Sequence, residues 1–204
     1  MINLTTEEQS VAAKIVADGL AKAAESLSFF LKEQVEVAHI DNEECDIGYT
    51  LNIERKDRVD IHLMSTAIMG EMKGLCCLVF SKEEADLVKK AALPEELHND
   101  EQAMKEMGEA FLLELDNIIS AAVITEFANR LESRIFGDVP GLEVLDEKGM
   151  FEYLNQQARE EMFFLNFKAS FKSNIVDFVP EFIWMFDSSF AEKVKQVAQK
   201  VGGF

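Results

Sequence analysis

Leu78-Val79-Phe80-Ser81, with Ala85, Val88 and Lys89 beyond it, returns later as Trp184-Met185-Phe186-Asp187, with Ala191, Val194 and Lys195 beyond. In both places an apolar run of strand length meets a residue suited to cap a helix. Apolar residues then recur at helical spacing. Long helical stretches precede each copy. The first runs from about Thr5, an N-cap with Glu7 and Glu8 in the first turn, to about Lys32, and the second from about Gln102 to Arg134. Between helix and repeated strand lie strand-like segments at 35–40, 49–53, 59–64 and 74–80, several with alternating apolar residues, and further ones in the second half. Ser81 caps a helix that Pro94 ends, 94–100 reads as a linker, and Asp187 opens a last helix to about Val201. The pattern predicts an α+β fold in one domain, residues 1–204. Its internally duplicated helix–strands–helix halves, 1–100 and 101–204, share an antiparallel sheet.

The formal charge is −18, from 38 acids and 20 bases spread evenly over both halves. Nucleic acid is a poor partner for such a chain, because phosphate binding needs clustered Lys and Arg. A protein partner with a basic rim suits it better. No apolar run reaches the length of a membrane span, and Met1 to Glu8 has neither the basic segment nor the apolar core of a secretory signal. The reading is a cytoplasmic protein with no membrane or nucleic-acid partner.

Ordinary catalytic motifs are missing. Cys45, Cys76 and Cys77 form no metal-ligand or disulfide spacing. Cys76 and Cys77, adjacent in a strand-like run, should point to opposite faces as core residues. His39, His62 and His98 are scattered, Gly70 and Gly74 belong to no phosphate loop, and no nucleophile elbow appears.

What remains is Ala110-Phe111-Leu112-Leu113-Glu114-Leu115-Asp116-Asn117-Ile118-Ile119. The Glu-x-x-Asn tetrad inside it is common here, occurring also at Glu96/Asn99, Glu126/Asn129 and Glu152/Asn155. Counting 23 residues onward separates the four: Asn117 reaches Pro140, while the others reach Ala122, Glu152 and Phe178, in a chain with 3 prolines. Helical spacing places Ala110, Glu114, Asn117, Ala121 and Ala128 on one stripe, with Phe111, Leu115, Ile118 and Ala122 on a core face. An acid and an amide among methyl groups would let another protein's surface come close. Glu126/Asn129 is turned away by about 120°.

This Glu-x-x-Asn helix followed by a proline resembles the signature of the CheC/CheX/FliY family of chemotaxis proteins. The match is specific over 114–140; the helix-to-strand entry at 26–37 and the Gly-led strand Gly74–Phe80 are similar to the family more loosely. Shifting by 100 residues places Lys14 under Glu114 and Ala17 under Asn117. The chain is thus similar to the CheC branch with only its second site intact. Small residues persist around the lost one, at Ser10, Ala17, Ala21, Ala24 and Ser28. Two positions depart from the pattern: Ala110, where the family often has Asp or Ser, and Asp116, where it has a small residue.

The resemblance implies a phosphatase that hydrolyses the aspartyl phosphate of a CheY-type response regulator. Asn117 would enter the regulator's site and orient the attacking water, since an amide both donates and accepts. Glu114 would anchor on the regulator's Lys. The chain itself would carry no metal or other cofactor, Mg²⁺ belonging to the regulator. A CheD-like protein is left open as a second partner. The alternative is a non-catalytic adaptor that binds a phosphorylated regulator in chemotaxis or at the flagellar switch. An enzyme of another kind lacks its motifs here.

Overall fold

Thr5 starts the first helix with a reciprocal cap: its hydroxyl accepts from the Glu8 N–H, and the Glu8 carboxylate accepts from the Thr5 N–H at 2.7 Å. A computed structural model describes residues 4–40, 46–48, 60–158 and 162–201. In chain order they form α1 (Thr6–Leu31), β1 (Glu36–Ile40), β2 (Asp46–Gly48), β3 (Ile61–Gly70), β4 (Gly74–Phe80) and α2 (Lys82–Ala92). Then follow α3 (Glu101–Arg130), β5 (Ile135–Gly137), β6 (Gly141–Leu145), α4 (Glu147–Gln157), β7 (Phe163–Lys172), β8 (Glu181–Phe186) and α5 (Ser189–Val201). The expected strand at 49–53 and Cys45 lie outside the described residues.

The fold is α+β, with an antiparallel sheet in the order β1-β7-β8-β4-β3-β5, β2 also pairing β7 and β6 also pairing β3. That order reads the same when the halves are exchanged, with the two repeated strands, β4 and β8, paired at the centre. Alternation along them feeds two cores. Cys76, Leu78, Phe80, Phe182, Trp184 and Phe186 pack under the long helices. Leu75, Cys77, Val79, Ile183 and Met185 face the other way, onto Met150 and Leu154 of α4. The adjacent cysteines therefore do lie on opposite faces.

Helices α1 and α3 run antiparallel across one face of the sheet; Phe30 stacks on Phe111 at one end. They cross closely at Gly19, where a Cβ would stand 2.9 Å from the Cα of Val123. The 8 buried residues of α1 (Ala12, Ile15, Val16, Gly19, Leu20, Ala23, Ala24 and Leu27) each have a buried counterpart 100 positions on in α3. Both helices end alike. Lys32 and Glu132 adopt left-handed φ of 54° and 49°, and the Glu33 and Ser133 N–H groups reach back to the Ser28 and Ala128 carbonyls.

Differences from the expected elements have local causes. The left-handed turn at Glu132 stops α3 at Arg130 rather than Arg134. The expected linker 94–100 contains a short 3-10 turn, Glu95–Leu97, and its Asp100 caps α3. Where strand-like segments alone were expected, Asp146 caps α4 by accepting the Gly149 N–H.

Candidate functional site

A helix that lies on a sheet turns one stripe outward, and on α3 that stripe is Ala110, Glu114, Asn117 and Ala121, all exposed. Leu115 is buried beneath them. Two expectations change: Ile118 and Ala128 are both half-buried and pack on the core, Ile118 incompletely sunk and Ala128 drawn off the exposed stripe. Neither the Glu114 nor the Asn117 side chain is engaged in a hydrogen bond or ion pair among the described residues. Both are free to meet something else.

Opposite this stripe stands the turn 137–140. Together with Ala110, Leu113, Glu114 and Asn117 it lines an open groove of about 540 Å³, with Gly137, Asp138, Val139 and Pro140 on the far wall. The proline found by counting from Asn117 is thus its neighbour across a groove. The turn is built on β3. Ile68 pairs with Gly137 before it and Ser65 with Gly141 after it, and the Asp138 N–H donates to the Ala67 carbonyl at 2.9 Å. Asp138 also accepts the Val139 N–H at 2.8 Å, leaving Val139 83% exposed at the tip. Leu113, Asp138 and Val139 are site residues that spacing alone did not single out.

Asp116 departs furthest from expectation. It is buried on the sheet-facing stripe of α3, and its carboxylate accepts from the Thr66 hydroxyl at 2.7 Å. Burial pushes its pKa up to about 7, against the opposing effect of that hydrogen bond. Nearby on β4, burial raises the Cys76 and Cys77 thiols well above their ordinary range, so neither is a nucleophile near neutral pH.

The other tetrads are occupied or apart. Glu126 is buried between Lys22 of α1 and Arg130, its carboxyl held below the usual range first by Lys22 and then by Arg130. Glu152 pairs with Lys148 on α4. Asn99 lies by the α3 N-terminus in a different cavity. On α1, Lys14 is exposed and Ala17 half-buried, at the positions of Glu114 and Asn117. Of the small residues beside them, Ala24 belongs to the core and Ser28 accepts the Val35 N–H at 2.8 Å. Among the described residues no group of three or more His, Cys, Asp or Glu is gathered to hold a metal, and no helix is long and apolar enough to cross a membrane.

No family model matches the chain, and no curated protein sequence does. Solved structures do. FliY of Thermotoga maritima superposes with a TM-score of 0.70 at 16% identity, over 97% of this chain and 98% of that one. The middle domain of FliM from Vibrio alginolyticus gives 0.55 at 10% identity, over 91% and 98%. CheX of Borrelia burgdorferi, from a complex of CheX with CheY, BeF3 and Mg²⁺, gives 0.51 at 15% identity, over 86% and 97%. The chain shares the fold of these proteins over nearly its whole length.

Proposed function

We propose that this chain is a member of the CheC/CheX/FliY family and a phosphatase for the aspartyl phosphate of a CheY-type response regulator, acting in the cytoplasm. One observation carries the reading: Glu114 and Asn117, exposed and unpaired, face Pro140 across one groove. The shared fold supports it, as does the CheX structure, whose complex contains CheY. Water attacks the phosphorus in line with the breaking Asp–phosphate bond, giving inorganic phosphate and free carboxylate. Such a step needs positioning more than new chemistry. Asn117 reaches into the regulator and holds that water, its amide accepting from the water and donating to an acceptor beside it. Glu114 pairs with a Lys of the regulator and sets the register. Mg²⁺ stays on the regulator, and this chain supplies no cofactor. On α1, Lys14 and Ala17 leave the first half without a site, as a degenerate copy of the second.

The test is phosphate release from a purified, phosphorylated CheY-type regulator with and without this protein. Acceleration of about a hundredfold corresponds to ~2.7 kcal/mol, within reach of one oriented water. Binding of the phosphorylated regulator without acceleration would favour the adaptor. A CheD-like protein is tested by co-purification and by its effect on that rate.

A further inference from the structure

A carboxyl group in the core stripe of a helix is a liability that a chain keeps only where something answers it. Asp116 is 2% exposed, and no cation among the described residues pairs with it. Its partner is the Thr66 hydroxyl of β3. Thr66 sits in the middle of the stretch, Ser65 to Ile68, on which both ends of the 137–140 turn are hung. Its Cγ2 methyl is 3.0 Å from where a Cβ on Gly137 would stand, so strand and turn are in close contact. The hydrogen bond therefore links the two walls of the groove. One end is the residue before Asn117; the other is the strand that carries Val139 and Pro140. On α1, where the Glu and Asn are missing, the equivalent residue is Val16, buried and apolar.

We propose that Asp116 is a positioning residue, whose hydrogen bond to Thr66 holds Asn117 in register with the Asp138–Pro140 wall of the groove. What the groove does rests on the function proposed above; how it is held does not. The other titratable groups near Asp116 are the thiols of Cys76, on the same side of β4, and Cys77, on its far side, both kept protonated by burial. Near neutral pH the carboxyl exchanges its proton, and an ionised acceptor binds the Thr66 hydroxyl more strongly than a neutral one. Groove geometry should follow that titration.

The experiment has two readouts. In the free protein, amide ¹H–¹⁵N shifts of Asn117 and Val139 are followed between about pH 5 and pH 9. They should titrate together with a midpoint near neutrality, and the titration should vanish in Asp116→Asn. In phosphate release from a regulator charged with a small-molecule phosphodonor, Asp116→Leu and Thr66→Val should lower kcat about tenfold or more with KM unchanged, the mark of a displaced water-holding group. Asp116→Asn, which can still meet Thr66, should recover most of that loss but flatten the pH profile of kcat. Silent amides in the wild type, a titration that persists in Asp116→Asn, or wild-type kcat in Thr66→Val would overturn the proposal. Should Asp116→Leu fail to fold, the other two variants carry the decision. If the wild-type protein accelerates nothing, the proposed function falls, and the amide titration alone still decides whether Asp116 couples the walls.

Discussion

Helices α1 and α3 bury the same stripe, end in the same left-handed turn and cross each other at Gly19, yet only α3 carries the exposed Glu and Asn pair. Their sequences agree at little more than Ala21/Ala121 and Leu31/Leu131, but the polar changes that bear on the groove lie together. Lys14 and Ala17 stand for Glu114 and Asn117 outside, while Val16 and Leu20 stand for Asp116 and Ser120 inside. Packing demands apolar or small residues at the inner positions, and α1 obeys. Where α3 departs, a hydroxyl on β3 answers the acid and a turn stands opposite the outer pair. Deviation from an otherwise repeated pattern marks the site better than any residue type alone.

Moving the buried acid across to α1 should do the most damage. Val16→Asp should cost roughly 3–5 kcal/mol in chemical denaturation at neutral pH, since a carboxyl would enter a core site now filled by an apolar side chain. A loss under about 1 kcal/mol would mean that α1 offers a polar partner as α3 does. Next comes the cost of the acid where it stands. Asp116 has a folded pKa raised from 3.8 to about 7. As pH rises between those values the unfolded chain releases a proton that the folded one keeps, so stability falls through the window and levels off above it. The wild type should therefore lose roughly 2–4 kcal/mol relative to Asp116→Asn from pH 4 to pH 8. Denaturation curves of both proteins at several pH values check this; a constant difference would deny the shift.

Asn117→Ala comes third, with a loss of about a hundredfold in acceleration, ~2.7 kcal/mol. Its stability should hold or rise slightly, because an exposed helical Asn gives way to the best helix former. Glu114→Ala should chiefly weaken association, read as a rise in KM and a flatter salt dependence. Full activity in Asn117→Ala would end the assignment.

Much of this was legible beforehand, for identifiable reasons. Strand β4 and the capped α2 were readable because an uninterrupted apolar run and Ser81 with Glu84 leave few alternatives. Asn117 with Pro140 was readable because 3 prolines make the spacing selective. Helix α4 was missed although Asp146, Met150, Tyr153 and Leu154 carry a cap and a 3–4 spacing; its apolar positions are too few to outweigh the strand-like residues around them. The role of Asp116 was hidden for another reason. Its place between Leu112, Leu115, Ile119 and Val123 already implies burial, but its partner Thr66 lies 50 residues away on a strand whose register only the fold reveals.

The reverse transplant, Lys14→Glu with Ala17→Asn, should change the least. Lys14 is exposed and Ala17 half-buried, so the pair should fold with a stability loss of no more than about 1 kcal/mol. If an exposed Glu and Asn at this spacing were sufficient, the variant would act as a second site. Placed in an Asn117→Ala background, it would restore most of the lost rate. The two helices differ in more than that pair. At α3 the pair stands opposite a wall hung on β3 and tied through Thr66 to the residue beside Asn117, whereas α1 has Val16 in that place. We therefore expect less than about a twofold gain in phosphate release, since a water-holding amide without a fixed opposite wall loses the positioning that makes it useful. Restoration to within tenfold of the wild-type rate would show that the outer pair suffices, and would reduce the wall and its buried hydrogen bond to ordinary packing.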